Sequence, residues 1–567
     1  MTGKKEAKLL KDIPAVRWTV LMLLALAIFS AYYFEDILSP LKSLLETSRG
    51  WDSLAFGTYA GSVSFFNVFL FFLIFAGIIL DKMGVRFTAI LAGVVMVAGA
   101  AINWYAVTDL FAGTNLENWF NNNLNYIPVF DQLGVSPFYR EMPAAAKLAS
   151  IGFMIFGCGE GMATVAVMRG IVKWFSGKEL ALASGLEMAI GRLGMATCMI
   201  FSPLIARSVI AGKADVSRSV SFGLILLIIS LILFIIYFFA DKKMDLQVNK
   251  AKVKGDPFKI KDIGKIFTSS GFWLIALLCV FFYSAILPFQ KYAVNMLECN
   301  LNFTPLAMDS FWRTNTAATV QYIVILATAA AAFSSNFWKK KVKNLLLACS
   351  FLLLIVVCFM TYAQQSPGAI SSVLPLLAMC ITPILGNFID RKGKAVTMLM
   401  LGSILLIACH LTFAFILPLL KGYVIGGFIV AYAAILVLGA SFSLVPAALW
   451  PSVPKLVDKK VLGTAYALIF WIQSIGLWLF PILIGRTLTS SNLDVAEKLN
   501  LGLITSDEAS VMYNYTNPLI MLACLGGAAL ILGFVLKITD KKKRIGLELP
   551  NLNAPVNADR SVENQPG

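Results

Sequence analysis

The chain contains a single histidine, His410, among 567 residues. That count excludes a histidine-built zinc centre and a Ser-His-Asp triad. His410 falls in the middle of an apolar run and is expected to be packed there rather than to relay protons. The nine cysteines are scattered. Several, such as Cys349, Cys358 and Cys380, lie inside apolar runs, and none forms a CxxC pair, so neither a metal site nor a disulfide framework is indicated. Nucleophile-elbow and phosphate-cradling glycine patterns are also lacking. The glycines of Gly157-Cys158-Gly159-Glu160-Gly161 read as close-packing positions on a helix. No enzyme activity, cofactor or metal is expected.

Charge is scarce too. Charged residues make up 14% of the chain, against roughly 25% in a soluble domain. What the sequence has instead is apolar length: 59% of its residues are hydrophobic. Many runs reach about 20 residues, enough to cross a hydrocarbon core of roughly 30 Å as a helix. The formal net charge of +16 would point to nucleic acid in a soluble protein. Here the lysines cluster in short loops between runs, where they act as topology signals. No nucleic-acid partner is expected; the lipid bilayer is.

Six spans are predicted in the first half, near 17–38, 54–80, 86–107, 147–172, 179–208 and 219–240. Residues 1–240 would form one bundle. A Lys-rich stretch, 241–270, reads as a cytoplasmic linker. Eight further spans follow, near 271–297, 316–336, 344–363, 370–390, 395–418, 424–450, 463–487 and 515–538, giving about 14. Residues 271–540 would form a second bundle carrying an inserted two-helix hairpin at about 316–363. Residues 541–567 read as a disordered cytoplasmic tail. The loops assigned to the cytoplasm are rich in Lys and Arg, which places both termini there. The polar, Lys-rich start runs directly into the first span, so that span reads as a retained helix rather than a signal peptide.

One loop motif occurs twice, about three hundred residues apart. The first copy is Gly77-Ile78-Ile79-Leu80-Asp81-Lys82-Met83-Gly84-Val85-Arg86 and the second Gly386-Asn387-Phe388-Ile389-Asp390-Arg391-Lys392-Gly393-Lys394. The glycines are expected to let helices approach closely. Asp81, Arg86, Asp390 and Arg391 are expected to make charge contacts that hold one conformation and release in another. Two copies at matching positions resemble the loop signature of the major facilitator superfamily. That resemblance implies an all-α membrane fold of two pseudo-symmetric six-helix bundles.

Charges inside spans are the other informative feature, because an ionised group at mid-bilayer costs roughly 2.5–3.5 kcal/mol on insertion scales. Glu160 lies well inside the fourth span and Arg192 is central in the fifth. The two are expected to pair across neighbouring helices, either as a buried ion pair that only fixes packing or as opposite charges lining a central cavity suited to a zwitterion. Arg offers a planar fork for a carboxylate, and Glu offers an acceptor for an ammonium. Glu35 and Asp36 sit near the outer end of the first span as entrance or ligand groups, or merely as hydrated interfacial ones. Tyr283 and Gln290 flank Pro288; Trp450 precedes Pro451; Gln473 lies on the span that starts near 463. All four are further binding candidates. Pro288 and Pro451 are expected to weaken their helices where a rocking bundle bends.

Finer strings narrow the resemblance. Lys173-Trp174-Phe175-Ser176-Gly177-Lys178-Glu179-Leu180, Gly191-Arg192-Leu193-Gly194, Ala448-Leu449-Trp450-Pro451-Ser452-Val453 and Leu462-Gly463-Thr464-Ala465-Tyr466 look like the branch that contains the animal lysosomal dipeptide transporters. The resemblance implies that Glu160 and Arg192 engage the two ends of a dipeptide. It implies a secondary active or facilitative carrier, by symport or uniport, with protons as a candidate co-substrate and a monomer as the working unit. An acidic dileucine address is not formed, since Glu6 is too close to Leu9-Leu10. A bacterial inner-membrane relative is expected. The alternatives are an organic-anion or monocarboxylate carrier using Arg192 alone, and a receptor-like protein that has lost transport.

Overall fold

The computed structural model describes residues 10–126, 136–175, 179–207, 214–248, 268–301, 338–350, 366–457 and 462–550, with residues 132, 266, 323, 326–331, 333, 334 and 352. Among these, regular structure is helical, with no strand. The first half contains α1 (Pro14–Glu35), α2 (Ser53–Ser62), α3 (Phe65–Phe69), α4 (Phe72–Met83), α5 (Val85–Val107), α6 (Ala144–Phe175), α7 (Leu180–Ala206) and α8 (Val216–Val248). The second contains α9 (Ser270–Asn300), α10 (Pro367–Lys392), α11 (Ala395–Leu411), α12 (Val424–Leu456), α13 (Leu462–Ser491) and α14 (Thr516–Lys543).

Local chemistry explains many of these boundaries. Pro14 and Pro367 open α1 and α10 at the position where a missing N–H costs nothing. Ser269 and Ser366 cap α9 and α10 by accepting from the third amide on. Gly393, at φ 72°, ends α10. Among the described residues, eleven helices are long and apolar enough to cross a membrane. The expected second span is not among them because it is broken into α2, α3 and α4. Most of the expected hairpin at 316–363 lies outside the described residues, as does most of 249–267.

Two helical groups pack side by side. α1 packs on α7 and α8, and α5 on α6 and α8; α9 packs on α13 and α14, α10 on α12, and α11 on α12 and α14. The groups meet mainly where α2 lies on α13 and α7 on α10. Consecutive spans reverse direction. One face therefore carries the two repeated motifs and the outer ends of α8, α12 and α14; it is called the motif face below. The far face carries residues 36–52, 108–126, 136–143 and 492–515.

Two expected disordered or linker segments are shorter than their composition implies. Helix α8 runs on through Val248, past the Asp241 boundary. Residues 541–550 are ordered, not a free tail: α14 continues to Lys543 and the chain then folds back with Leu547 fully buried. Asp540 Oδ1 accepts from the amides of Gly546 and Leu547, and Glu548 accepts from Thr397 N at 2.8 Å and from Lys394 N through its carbonyl. Glu548 thus caps α11, which a composition-based reading of a charged tail does not register. Residues 551–567 lie outside the described residues.

Candidate functional site

At the far face the two groups are in backbone contact. A Cβ on Gly57 would collide with the Pro481 carbonyl, one on Gly61 with the Trp478 carbonyl and one on Gly485 with the Ser53 carbonyl. Gly368 meets the Met199 carbonyl in the same way. Small residues therefore let α2 lie on α13 and α7 on α10. Tyr292 on α9 donates within reach of both Ser53 O and Pro481 O, each at 3.1 Å. Tyr513 donates to Glu46, and Lys42 lies over the Tyr513 ring at 4.6 Å. At the motif face the two glycines of the repeated motif have no such contact. A Cβ on Gly77 or Gly386 would meet nothing within 4 Å. The close approach expected at these two glycines is absent in this conformation, which is sealed on the far face.

Beneath the far-face seal lies a charged centre. Lys291 on α9 reaches across to the end of α1, with Nζ 2.6 Å from Asp36 Oδ1, 2.9 Å from the Glu35 carbonyl and 3.6 Å from Glu35 Oε1. Gln290 Nε2 also donates toward Asp36 Oδ2 at 3.4 Å. Glu160 on α6 sits beside Glu35. Asp36 is fully buried, so the option of a merely hydrated interfacial group does not hold for it.

Arg192 stands apart from that cluster. Its Nη1 donates to Thr382 Oγ1 at 2.7 Å and to the Ala378 carbonyl at 2.8 Å, both on α10, and its guanidinium lies 5.2 Å from the Phe442 ring centroid. The expected direct Glu160–Arg192 pairing is not found among the described ion pairs; each charge has other partners. Tyr32 on α1 stands between them, near Glu187, Glu160, Glu35 and Arg192. Its ring fits because residue 191 is glycine: a Cβ there would come within 2.7 Å of it. Around the arginine end, Trp450 Nε1 donates to Tyr283 OH at 3.3 Å and Tyr466 OH to the Trp450 carbonyl at 3.1 Å. Tyr283 lies near Arg192 as well. Gln473 instead accepts from Cys279 Sγ at 3.6 Å, as a helix-packing contact. The structure therefore gathers Glu35, Asp36, Glu160 and Gln290 at one end of the centre and Arg192, Tyr283 and Trp450 at the other.

Lys291 and Tyr32 are absent from the expected set. A lysine inside a span is as costly as Glu160 or Arg192, so Lys291 carried a usable signal. Tyr32 carried none, since tyrosine is common at membrane interfaces. His410 is fully buried, with Nδ1 2.9 Å from the Leu406 carbonyl and the Phe289 ring against it. That fits the packed role.

The break in the second span lies against α13 of the other group. Phe71 adopts φ 53°, a left-handed backbone that a bulky residue rarely takes. The break frees the Val68 carbonyl, and Trp471 Nε1 on α13 donates to it at 2.9 Å, while the Phe71 and Trp471 rings stack at 5.1 Å. Irregular backbone at membrane depth needs such a protein partner.

On the motif face, Arg86 does not act through its own loop. It pairs with Asp241 at 3.8 Å and Asp245 at 3.4 Å on α8, and Lys173 on α6 binds the same two acids at 2.7 and 2.8 Å. Trp174 Nε1 also donates to Asp241 at 3.0 Å. The second half repeats the scheme in part. Lys455, on α12, lies near Asp390 and Asp540 and donates to the carbonyls of Gly546 and Leu549. Asp81 and Arg391 are exposed.

Two helical groups, a doubled motif and a charged centre between them fit one family, and the Major Facilitator Superfamily profile matches residues 24–377. The chain belongs to the Major Facilitator Superfamily. It is a multi-pass membrane protein of transporter architecture. Among its relatives is the lysosomal dipeptide transporter MFSD1 of Danio rerio, 25% identical over 479 residues, covering 83% of this chain and 80% of the relative. The Homo sapiens protein of the same name is 23% identical over 510 residues, covering 88% and 86%. Superfamily structures share the fold. A bacterial homologue of the human lysosomal transporter Spinster, inward-facing and occupied, aligns with a TM-score of 0.55 at 12% identity over 93% of this chain and 98% of that one. A proton-dependent oligopeptide transporter structure aligns at 0.53 and 12%, over 93% and 99%.

Proposed function

We propose that this protein carries dipeptides across its membrane by alternating access, with Arg192 holding the carboxylate end and Glu160 the amino end. The observation that carries the reading is the separation of charge around Tyr32, with acids and a lysine on one side and an arginine ringed by aromatics on the other. A zwitterion finds an opposite pole at each end. Among the described residues, Nη1 is the Arg192 nitrogen with hydrogen-bond partners on α10, and a guanidinium has five N–H donors. Glu35 supplements the amino-end charge, and the carboxyl pair Glu35–Glu160 is placed to take up a coupled proton. Trp450 and Tyr283 wall the carboxylate end.

The relatives named as dipeptide transporters support the same substrate class. In this reading residues 1–240 and 271–540 are the rocking units, and the motif face, with both termini, is cytoplasmic. The Lys- and Arg-rich loops on that face support the orientation, in a bacterial inner membrane, with a monomer as the working unit. Transport then alternates the sealed far face with a sealed motif face, where Gly77 and Gly386 would find their neighbours. The cargo must favour neither state strongly, or it would trap one.

The test is uptake of a labelled dipeptide into proteoliposomes, competed by unlabelled dipeptide or by a monocarboxylate, with and without a pH gradient. Competition by dipeptide but not by monocarboxylate supports the reading. The reverse supports an organic-anion carrier that uses Arg192 alone. Binding without uptake marks a receptor-like protein.

A further inference from the structure

Lys291 is the one cation at the acidic end of the centre among the described residues that reaches Glu35 and Asp36 directly. It belongs to α9, in the second group, whereas Glu35, Asp36 and Glu160 belong to the first. Its ammonium has the chemistry of a substrate's amino end, and it lies among the carboxylates that such an end would use. Three carboxyl groups converge there: Asp36 and Glu35 on Lys291, and Glu160 on Glu35. A buried carboxylate left without a cation is strongly destabilising. In this structure that cation is Lys291.

We propose that Lys291 is a built-in stand-in for the substrate ammonium, a specificity-determining residue that competes with the cargo's amino end for Glu35 and its partner Glu160. The inference rests on the dipeptide reading for the identity of the cargo, but not for the competition itself. A cargo amine that takes over Glu35 leaves Lys291 held by Asp36 alone. Lys291 also ties α9 to α1 under the far-face seal, so weakening its hold loosens the contact that must break for the far face to open. Cargo without a cationic amino end cannot displace the lysine, and the far face stays shut. Lys291 thus makes selection for a free amine a property of the conformational step as well as of binding.

The test uses purified full-length protein and thermal shift with three probes: alanyl-alanine, its N-acetyl form, and alanine amide, which has the amine but no carboxylate. Lys291→Gln removes the competitor. Lys291→Gln with Asp36→Asn removes both members of the shorter ion pair, so that Asp36, the carboxylate held most closely by the lysine, is not stranded if the single variant fails to fold. Lys291→Arg keeps a competing cation. The proposal predicts that one of the two Gln-bearing variants binds alanine amide and alanyl-alanine roughly tenfold more tightly than wild type, the loss of one competing charge contact. It predicts no change for the N-acetyl form and little gain in Lys291→Arg. In proteoliposomes the same variants should show a lowered KM and a lowered kcat for a free-amine dipeptide. Equal weakening toward all three probes would make Lys291 a packing residue and overturn the proposal. So would amine affinity in the Gln-bearing variants no better than in wild type. Tighter amide binding by these variants with no dipeptide uptake by wild type would uphold the competition and overturn the transport reading instead.

Discussion

Arg192 on α7 donates to Thr382 Oγ1 on α10 at 2.7 Å, so the residue proposed to hold a carboxylate is itself held by the opposite helical group. Thr382 in turn donates to the Ala378 carbonyl at 2.6 Å, and that carbonyl also accepts from Arg192. Three groups thus share one small network, which fixes the guanidinium by a side chain that need not touch cargo. Thr382→Val keeps the volume and removes the acceptor. A net loss of about 1 kcal/mol is expected for one such hydrogen bond, a roughly fivefold rise in KM. The turnover number should change little, because Arg192 itself remains. Initial-rate uptake across a dipeptide concentration series reads this directly.

The glycines of the two faces should respond in opposite ways. Gly57→Val places a side chain against the Pro481 carbonyl and forces α2 from α13. The far face should then open. Spin labels at Ser48 and Thr505, both exposed on that face, should move apart by several ångströms, on the order of one helix-packing step. Gly77→Val meets nothing here. It should leave those distances and the melting temperature near wild type, yet lower uptake by hindering closure of the motif face.

The all-helical membrane character and most of the individual spans were legible because they rest on run length, which survives any detail of packing. Most span ends fall within a few residues of their expected places; α10, expected at 370–390, runs Pro367–Lys392. The break at Ser62–Phe72 was not legible. It contains no proline or polar run, and it persists because Trp471, some four hundred residues away, donates its indole N–H to the freed Val68 carbonyl. Arg192 and Glu160 stood out as charges in apolar runs, but their partners did not. Pairing across helices depends on rotation and tilt, which one-dimensional spacing does not contain. For the same reason Asp241 and Asp245 looked like the start of a linker rather than the anchor of Arg86.

That anchor should carry unequal weight at its two acids. Asp241 is buried and accepts from Lys173 and Trp174, with Arg86 alongside. Its partners Lys173 and Arg86 are 30% and 33% exposed, which weakens the pair relative to a fully buried one. Asp241→Asn should cost about 2 kcal/mol, below the range for fully buried pairs. Asp245, 41% exposed, should cost under about 1 kcal/mol as Asp245→Asn. Melting temperatures of the two variants in one detergent compare them.

The assignment of cargo poles is tested most directly by initial uptake of labelled alanyl-alanine into proteoliposomes holding wild type, Arg192→Ala or Glu160→Gln at matched protein density. Loss of a charge-assisted contact of about 1.5–3 kcal/mol predicts a fall of roughly ten- to a hundredfold in kcat/KM for each variant. Uptake by both variants at the wild-type rate would contradict it.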